Sequence, residues 1–384
     1  MNLYISCASG LQQVLKKELQ ILGHKATIIK PTLLSIPGDE FAIAQTNLRL
    51  RTANKVYLEI AQQKVQDFDQ LFDFVYAQDR AKYIDHSSFT VKAASSNSKL
   101  FSTPTIQSVS EKAMRTNLAP LSSVQQSWGK GGSWASSEAG GFAKQQEILL
   151  NIDNDICTIL LNTSGESLHK RGYKVQTGEA PINESLAAGL ILLSARKFHE
   201  PFYDIFCGSG TLPIEAAMIA KNIAPWLHRS FAFQERKRYD QMLFEKASYQ
   251  AQEKIMTSKQ HTIIGTDSDP EMIRIAQENA KKAWVADHIH FEIKKCKDYL
   301  EGTDIHGTLV SNPPYGQRMN PNNLKELYQD IALIFEKNPK LTGGIITSYE
   351  QFHTFLHLRG EKAIWKTTPF YNGGTPCLFF RKSR

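Results

Sequence analysis

The segment Asn312–Tyr315, which reads Asn-Pro-Pro-Tyr, follows the apolar stretch Gly307–Ser311, a predicted β-strand. Its two prolines fix φ and remove two backbone donors, so that acceptors remain: the Asn312 side-chain oxygen and the Pro313 carbonyl. Two acceptors suit an –NH2 group, and a tyrosine offers a face for a planar base. The predicted catalytic residues are therefore Asn312, Pro313, Pro314 and Tyr315.

A glycine-rich turn follows a second apolar stretch, Phe202–Phe206. Glycines allow a ligand to approach the backbone closely, and the helix that follows supplies free N–H groups. The turn lacks the dinucleotide pattern GxGxxG, because Pro213 replaces its last glycine, and the chain has no GxxxxGK[ST] phosphate loop. Asp204, before the turn, is suited to bind an ammonium group. The residues predicted to bind a cofactor here are Asp204, Phe206, Cys207, Gly208, Ser209, Gly210 and Thr211.

Carboxylates follow the next two predicted strands. Asp267 ends one of them, a position at which an acidic residue can hold ribose hydroxyls; the alternative is a helix N-cap. Asp298 follows the other strand, where it can accept a hydrogen bond from an adenine amino group; the alternative is a surface carboxylate among lysines. We predict that the cofactor site also includes Asp267, Ser268, Asp298 and Asn312.

The elements that must position these side chains alternate between strand and helix from Ser185 onward. Alternation of this kind indicates an α/β domain with a mostly parallel sheet covered on both faces, and such sheets bind ligands beyond the carboxyl ends of their strands. Residues 222–260 exceed what a simple βα unit needs. We predict that they are an insertion, either a substrate-facing lid or a solvated pair of helices.

The N-terminal half has a different pattern. Residues 1–60 predict a small α/β unit, with a helix whose apolar residues follow helical spacing over Leu11–Leu22. Further helices and strands follow up to residue 165. Residues 122–141 are rich in serine and glycine and predict a mobile loop. The alternative for this loop is an RNA contact through Trp128, Lys130 and Trp134.

The composition is that of a globular, basic chain: 384 residues, 41% hydrophobic, with a net charge of +7. Wholesale disorder is excluded, and a polyanionic partner such as nucleic acid is allowed. The chain contains no run of about 18 apolar residues, so no transmembrane helix is expected. The N-terminus lacks the pattern of a secretory signal. Five dispersed cysteines without a CxxC pair indicate a cytosolic chain. We predict no metal site, because His353 and His357 lack the glutamate of an HExxH motif.

Taken together, Asp204–Thr211, Asp267 and Asn312–Tyr315 resemble the motifs of class I S-adenosylmethionine-dependent amino-methyltransferases. Further segments look like those of THUMP-containing RNA guanine-N2 methyltransferases, a group that includes the bacterial enzyme that makes N2-methylguanosine in large-subunit ribosomal RNA. These segments are Leu168–Tyr173, Ile214–Ala217, Asn222–Pro225 and Phe231–Phe233. The resemblance spans nearly the whole chain.

This resemblance implies a class I, Rossmann-like methyltransferase domain at 166–384, preceded by an α+β region. That region would consist of a ferredoxin-like segment at 1–60 and a THUMP RNA-binding domain at 61–165. The implied cofactor is S-adenosylmethionine, and the implied activity is methylation of guanine N2. The implied partner is RNA, 23S ribosomal RNA or its precursor, in the cytoplasm and without a membrane.

Several alternatives stay open at this point. Adenine-N6 methylation uses the same acceptor array, and guanine N2 in transfer RNA is a further target. A protein glutamine methyltransferase shares the Asn-Pro-Pro-Tyr motif, but a predicted RNA-binding half argues against it. The non-enzyme alternative is an RNA-binding ribosome assembly factor that kept the fold. The presence of Asp204, Asp267 and Asn312 argues against that alternative.

Overall fold

In a computed structural model, the described residues form two seven-stranded sheets. No described helix combines the length and the apolar character that a membrane span requires. The residues that the structure describes are 1–79, 89–116, 146–174, 182–194, 196–197, 199–236, 238–257, 261–302, 304–315, 321–356 and 365–383.

The first sheet has the strand order β2-β3-β1-β4-β7-β6-β5, and only β5 and β6 pair in parallel. Strand β4 pairs with β1 on one side and with β7 on the other, and it crosses residue 60. The ferredoxin-like segment and the rest of the N-terminal half therefore share one sheet. The strands are β1 (Asn2–Cys7), β2 (Thr27–Lys30), β3 (Leu33–Pro37), β4 (Ala53–Lys64), β5 (Phe89–Ser96), β6 (Gln146–Asp153) and β7 (Ile156–Asn162). The helices are α1 (Gln12–Ile21), α2 (Glu40–Arg49), α3 (Phe68–Tyr76) and α4 (Thr103–Thr116).

The second sheet has the order β10-β9-β8-β11-β12-β14-β13. Strands β8 to β12 pair in parallel, and β14 is antiparallel to β12 and to β13. The prediction of a mostly parallel, Rossmann-like sheet is confirmed. The strand order reverses between β8 and β11, which is the point where open α/β sheets bind their ligands. The strands are β8 (Phe202–Asp204), β9 (Ile263–Asp267), β10 (His290–Ile293), β11 (Gly307–Ser311), β12 (Leu341–Thr347), β13 (Trp365–Asn372) and β14 (Thr375–Lys382).

Three helices of this half, α5, α7 and α8, begin at residues whose side chains cap them. Asn183 caps α5 by accepting from the Leu186 N–H, and Asp269 caps α8, which has proline at its first position. Helix α6 is buried along its whole length, as its apolar sequence requires. The helices are α5 (Glu184–Leu193), α6 (Thr211–Ala220), α7 (Gln241–Glu253), α8 (Pro270–Lys282), α9 (Asp298–Glu301), α10 (Pro321–Lys337) and α11 (Phe352–Phe355).

The insertion at 222–260 joins the two halves. Its aromatic residues Trp226, Phe231 and Phe233 are buried, the Phe233 N–H donates to the Thr163 carbonyl, and α7 packs against α2. The sequence suggested either a lid or a solvated pair of helices. A solvated pair of helices does not describe this packing, because these aromatic residues are buried and α7 contacts α2, and the substrate-facing lid stays a prediction.

An ionic cluster lies in the same joint. The Arg171 Nε donates to Glu215 Oε1 at 2.6 Å, and the Tyr173 hydroxyl donates to the same oxygen at 3.1 Å. Arg171 also donates to the Arg51 carbonyl, and Arg51 donates to the Ile223 carbonyl at 2.7 Å. The side chains of Arg171 and Glu215 are almost completely buried. Removal of one partner would leave the other charge buried, which typically costs about 3–5 kcal/mol.

Candidate active site

The glycine-rich turn connects β8 to α6. Gly208 and Gly210 both have positive φ, +48° and +84°. A Cβ on Gly208 would meet no atom within 4 Å, whereas one on Gly210 would lie 3.0 Å from the Ala276 Cβ of α8. The turn therefore leaves open space beside Gly208 and is pressed against α8 at Gly210.

Hydrogen bonds from β9 and α8 fix the turn. The Cys207 N–H donates to the Thr266 carbonyl at 2.9 Å, and the Gly208 N–H donates to Asp267 Oδ2 at 2.9 Å. The Asn279 side-chain amide donates to the Ser209 carbonyl at 2.9 Å. Burial raises the pKa of the Cys207 thiol well above its ordinary value. The cysteine is thus a packed, protonated group of a rigid turn.

Asp204 is buried at the end of β8. Its Oδ1 accepts from the Ser311 hydroxyl at 2.6 Å and from the Phe206 N–H at 3.3 Å. The Ser311 oxygen in turn accepts from the Ile205 N–H at 2.8 Å. Burial raises the pKa of Asp204 to about 7, and the charge of Asp267 contributes to that rise. A carboxyl group in this state ionises readily when a cationic group binds beside it.

The other predicted cofactor ligands lie beyond the ends of β9 and β10. The Asp267 carboxylate accepts from the Gly208 N–H and also from the Asp269 N–H, the latter at 3.0 Å. It therefore closes both the glycine-rich turn and the turn between β9 and α8. Ser268 is exposed. Asp298 is also exposed and accepts from the Lys295 N–H at 2.9 Å. An ionised carboxylate has about four acceptor sites, so both groups keep capacity for a ligand.

The Asn-Pro-Pro-Tyr turn begins directly after β11. The Asn312 Oδ1 is buried and has no hydrogen-bond partner among the described residues. The Pro314 carbonyl accepts from the Tyr328 hydroxyl of α10 at 3.2 Å, and that hydroxyl also contacts the Thr347 hydroxyl at 2.5 Å. The turn is therefore held from α10 and β12, while its side-chain acceptor remains unsatisfied. Leaving a buried acceptor in this state costs about 1–3 kcal/mol.

Tyr315 packs against the β13–β14 hairpin. Its hydroxyl accepts from the Asn372 side-chain amide at 2.8 Å and also bonds the Cys377 side chain. Only 7% of the tyrosine is exposed. The ring is anchored at its hydroxyl end, so a base would meet only a small part of it.

Comparison with known proteins now decides the family. Residues 171–380 match the family described as RMKL-like, methyltransferase domain, and residues 2–57 match the RlmL ferredoxin-like domain. This chain belongs to the RMKL-like methyltransferase family. The predictions of a methyltransferase half and of a ferredoxin-like N-terminal segment are thereby confirmed.

Individual relatives resemble this RMKL-like methyltransferase over nearly its full length. The Bacillus subtilis (strain 168) protein named "Putative RNA methyltransferase YpsC" is 35% identical over 374 residues, which is 97% of this chain and 93% of that protein. The "Ribosomal RNA large subunit methyltransferase K/L" of Buchnera aphidicola is 30% identical over 100% of this chain, which spans only 55% of the Buchnera protein. The crystal structure of "SMU.472, a putative methyltransferase complexed with SAH" has a TM-score of 0.82 and 31% identity, and the match covers 100% of this chain and 98% of that one.

The structure of this RMKL-like methyltransferase adds residues that the sequence did not single out. Asn372 binds the Tyr315 hydroxyl, Asn279 fixes the glycine-rich turn, and Tyr328 supports the Asn-Pro-Pro-Tyr turn. Asn372 had a readable signal, because it opens an Asn-Gly-Gly turn of the kind that closes β-hairpins. The other two residues act through contacts between elements that are distant in sequence.

Two predictions fall partly or wholly outside the described residues. The serine- and glycine-rich loop at 122–141 lies outside them, so its role stays a prediction, as does the THUMP character of 61–165. His357 also lies outside them. Among the described residues of the RMKL-like methyltransferase, no group of three His, Cys, Asp or Glu side chains is arranged to hold a metal ion.

Proposed function

We propose that this RMKL-like methyltransferase methylates an exocyclic base amine of RNA, most specifically guanine N2 in 23S ribosomal RNA. The observation that carries the proposal is the buried Asn312 Oδ1, which lacks a partner in the described part of the chain at the switch point of the sheet. An incoming N–H group would satisfy it. RNA as substrate is supported by the names of the Bacillus and Buchnera relatives.

The methyl donor is S-adenosylmethionine, and the residues around the glycine-rich turn fit it. Open space adjoins Gly208, Asp204 is suited to the ammonium group, and Asp267 to the ribose hydroxyls. Asp298, beyond the neighbouring strand, is available for the adenine amino group. When bound, the donor supplies a methyl group on a positively charged sulfur, which makes that methyl an electrophile.

The chain's own contribution is to hold the amine. Asn312 Oδ1 and the Pro313 carbonyl would accept hydrogen bonds from the two N–H groups of the amine. These bonds would direct the nitrogen at the methyl group. As the nitrogen becomes positive its hydrogens become more acidic, so both acceptors bind more strongly in the transition state than before it. Correct positioning of reactants contributes up to roughly 7–11 kcal/mol in favourable cases. The Tyr328 bond to Pro314 keeps the turn in place during this step.

The N-terminal half would hold the RNA around the target. A paired target base must leave its helix to reach the turn, and Tyr315 would then pack against it. Phosphate contacts release counterions, so RNA affinity should fall as salt rises. An enzyme acting on ribosomal RNA in this way would work in the cytoplasm.

Nucleoside mass spectrometry of RNA from a deletion strain tests the proposal. We expect loss of N2-methylguanosine at one position of 23S ribosomal RNA, with restoration by the wild-type chain but not by Asn312→Ala. Loss of N6-methyladenosine instead would establish the adenine alternative, and loss in transfer RNA would move the target. A chain that binds no S-adenosylmethionine in a calorimeter would favour the assembly-factor alternative.

A further inference from the structure

Three described helices end in the same hydrogen-bond motif. In α1, α6 and α8 the N–H of the first residue past the C-cap donates to the carbonyl of the second-last helical residue, and the next N–H donates to the carbonyl one residue before that. The first residue past the cap then has positive φ in each case, a position at which glycine or asparagine is usual. The residues at this position are Gly23 (φ +91°), Asn222 (φ +55°) and Trp284 (φ +58°).

Trp284 is the exception among the three. A bulky residue with positive φ is a genuine outlier, because its Cβ crowds the following carbonyl. The motif at this helix end leads into Val285, which follows the tryptophan and is buried in the core. Nothing in the motif requires a tryptophan side chain, and 79% of that side chain is exposed. The chain therefore accepts a strained backbone and an exposed aromatic ring at one surface position.

The neighbours of this ring are suited to an unpaired nucleotide. The ring of His228, which belongs to the insertion, lies 6.5 Å from the Trp284 ring at an angle of 46°. Lys281 and Lys282, both exposed, form the last turn of α8. Asp287 is the exposed acidic residue of the following turn. Aromatic faces stack on bases of any sequence, and adjacent lysines bind the phosphate backbone.

We propose that His228, Lys281, Lys282 and Trp284, here called the Trp284 patch, bind an unpaired base of the RNA substrate at a site remote from methyl transfer. The remoteness follows from topology. Helix α8 starts beyond the carboxyl end of β9, beside Asp267, and its 13 residues lead back about 20 Å to the opposite edge of the sheet. The patch therefore holds a flanking nucleotide and not the target base. The inference rests on the proposed RNA substrate.

The glycine variant separates stability from binding. Trp284→Gly places the usual residue at the helix end, so the melting temperature of the full chain should not fall. The affinity for fluorescent poly(A) should fall about tenfold, the loss expected when one base–aromatic stack is removed. Trp284→Phe keeps a ring and should keep most of the affinity. Tyr249→Ala, which removes another exposed aromatic residue, is the matched control and should bind as the wild type does.

Salt titration tests the lysines. The double variant Lys281→Ala and Lys282→Ala should reduce the slope of log affinity against log salt by about 1.4, which corresponds to two phosphate contacts on a single strand. An unchanged slope overturns the assignment of these lysines to RNA.

The remaining outcomes distinguish the two proposals. A wild-type chain that binds neither poly(A) nor ribosomal RNA overturns the proposed function itself. If the wild type binds RNA and Trp284→Gly binds it equally well, only the Trp284 patch is overturned. A glycine variant that loses binding to polyglutamate but not to RNA identifies an acidic protein partner and likewise overturns the RNA assignment.

Discussion

The glycine-rich turn and the Asn-Pro-Pro-Tyr turn lie side by side beyond β8 and β11, yet their polar groups are satisfied differently. In the first turn the Cys207 and Gly208 N–H groups and the Ser209 carbonyl all have partners. In the second, the prolines provide no N–H, and the buried Asn312 Oδ1 lacks a partner within the described residues. The first turn is thus closed by hydrogen bonds within the chain, whereas the second holds a buried acceptor that the amine of the substrate would satisfy under the proposed function.

Ser311 connects the two turns. Its hydroxyl donates to Asp204, before the glycine-rich turn, and accepts from the Ile205 N–H, while its backbone leads directly into Asn312. The glycine-rich turn and the Asn-Pro-Pro-Tyr turn are thus connected through one residue. Variants in the two turns should therefore separate effects on S-adenosylmethionine affinity from effects on the rate of methyl transfer, while the turns keep their relative positions.

The largest effect should come from removal of the unsatisfied acceptor, Asn312 Oδ1. Asn312→Ala should lower the single-turnover rate of methyl transfer by about 10²–10³, the usual result of deleting one preorganised polar contact. Affinity for S-adenosylmethionine should change little, because the glycine-rich turn and Asp267 are intact. Thermal stability should not fall, since an unsatisfied buried oxygen is removed.

A wild-type single-turnover rate at saturating RNA and S-adenosylmethionine would contradict this account of the turn. Calorimetry on the same variant is the control, because a large loss of S-adenosylmethionine affinity would place Asn312 in the binding site for the methyl donor instead.

The glycine-rich turn should show the opposite behaviour. Asp267→Ala should weaken binding of S-adenosylmethionine by about 1–3 kcal/mol, because charge-assisted hydrogen bonds to ribose are lost and the Gly208 N–H loses its partner. Asp267→Asn keeps one acceptor oxygen and should recover part of the loss. Titration calorimetry measures both, and unchanged affinity in a folded Asp267→Ala chain would remove this residue from the donor site.

Local sequence was sufficient for the elements around these two turns. Apolar runs that end in glycine, aspartate or asparagine predicted β8, β9 and β11, and the alternation of strand and helix from Ser185 onward predicted helices between them. The signals are strong because each element packs its own apolar residues into the sheet. The same pattern places Asp204, Asp267 and Asn312 at the ends of strands. Parallel strands bring their carboxyl ends to one edge of the sheet, so the three residues are expected at that edge.

Contacts between distant segments were not predictable in this way. Asn372 reaches Tyr315 only because β14 returns antiparallel to β12, and prolines at 369 and 376 in this hairpin obscure the strand signal. The packing of the insertion against Thr163 and α2 depends on the N-terminal half. So does the Arg171–Glu215 cluster, into which Arg51 extends, and an isolated 166–384 fragment would lack Arg51.

The buried carboxyl at Asp204 should make the donor site sensitive to pH. Its pKa is raised from the ordinary value to about 7 by burial, so the folded chain favours the protonated form. Its contribution to stability is therefore present at low pH and is lost as pH rises through about 7. Binding of an ammonium group needs the ionised form, so affinity for S-adenosylmethionine should rise, by about tenfold at most, between pH 6 and 8.

The control for this pH dependence is Asp204→Asn, which keeps an acceptor for Ser311 but does not titrate. The affinity of this variant for S-adenosylmethionine should be low and should not change as pH rises through about 7. A wild-type affinity that is flat, with Asp204→Asn binding equally well, would exclude an ionic role for this carboxyl.

The smallest effect should come from behind the second turn. Asn372→Ala removes the amide that donates to the Tyr315 hydroxyl, a bond of ordinary length worth about 0.5–1.5 kcal/mol. The tyrosine ring then loses one anchor, while Asn312 and the hydrogen bond from Tyr328 to the Pro314 carbonyl are untouched. We expect the single-turnover rate to fall about threefold, with RNA affinity lowered to a similar extent, because a less ordered ring positions and binds the base less well. Tyr315→Phe removes this bond from the other side together with the Cys377 contact, so it should cost at least as much as Asn372→Ala, and the double variant should be no worse than Tyr315→Phe. Tyr315→Ala removes the ring and should cost more, about 1 kcal/mol, which is the lower end of the range for base stacking because only a small part of the ring meets the base. Additive losses in the double variant would show that Asn372 acts on the substrate directly and not through Tyr315, and equal rates for Tyr315→Ala and wild type would exclude the ring from base binding.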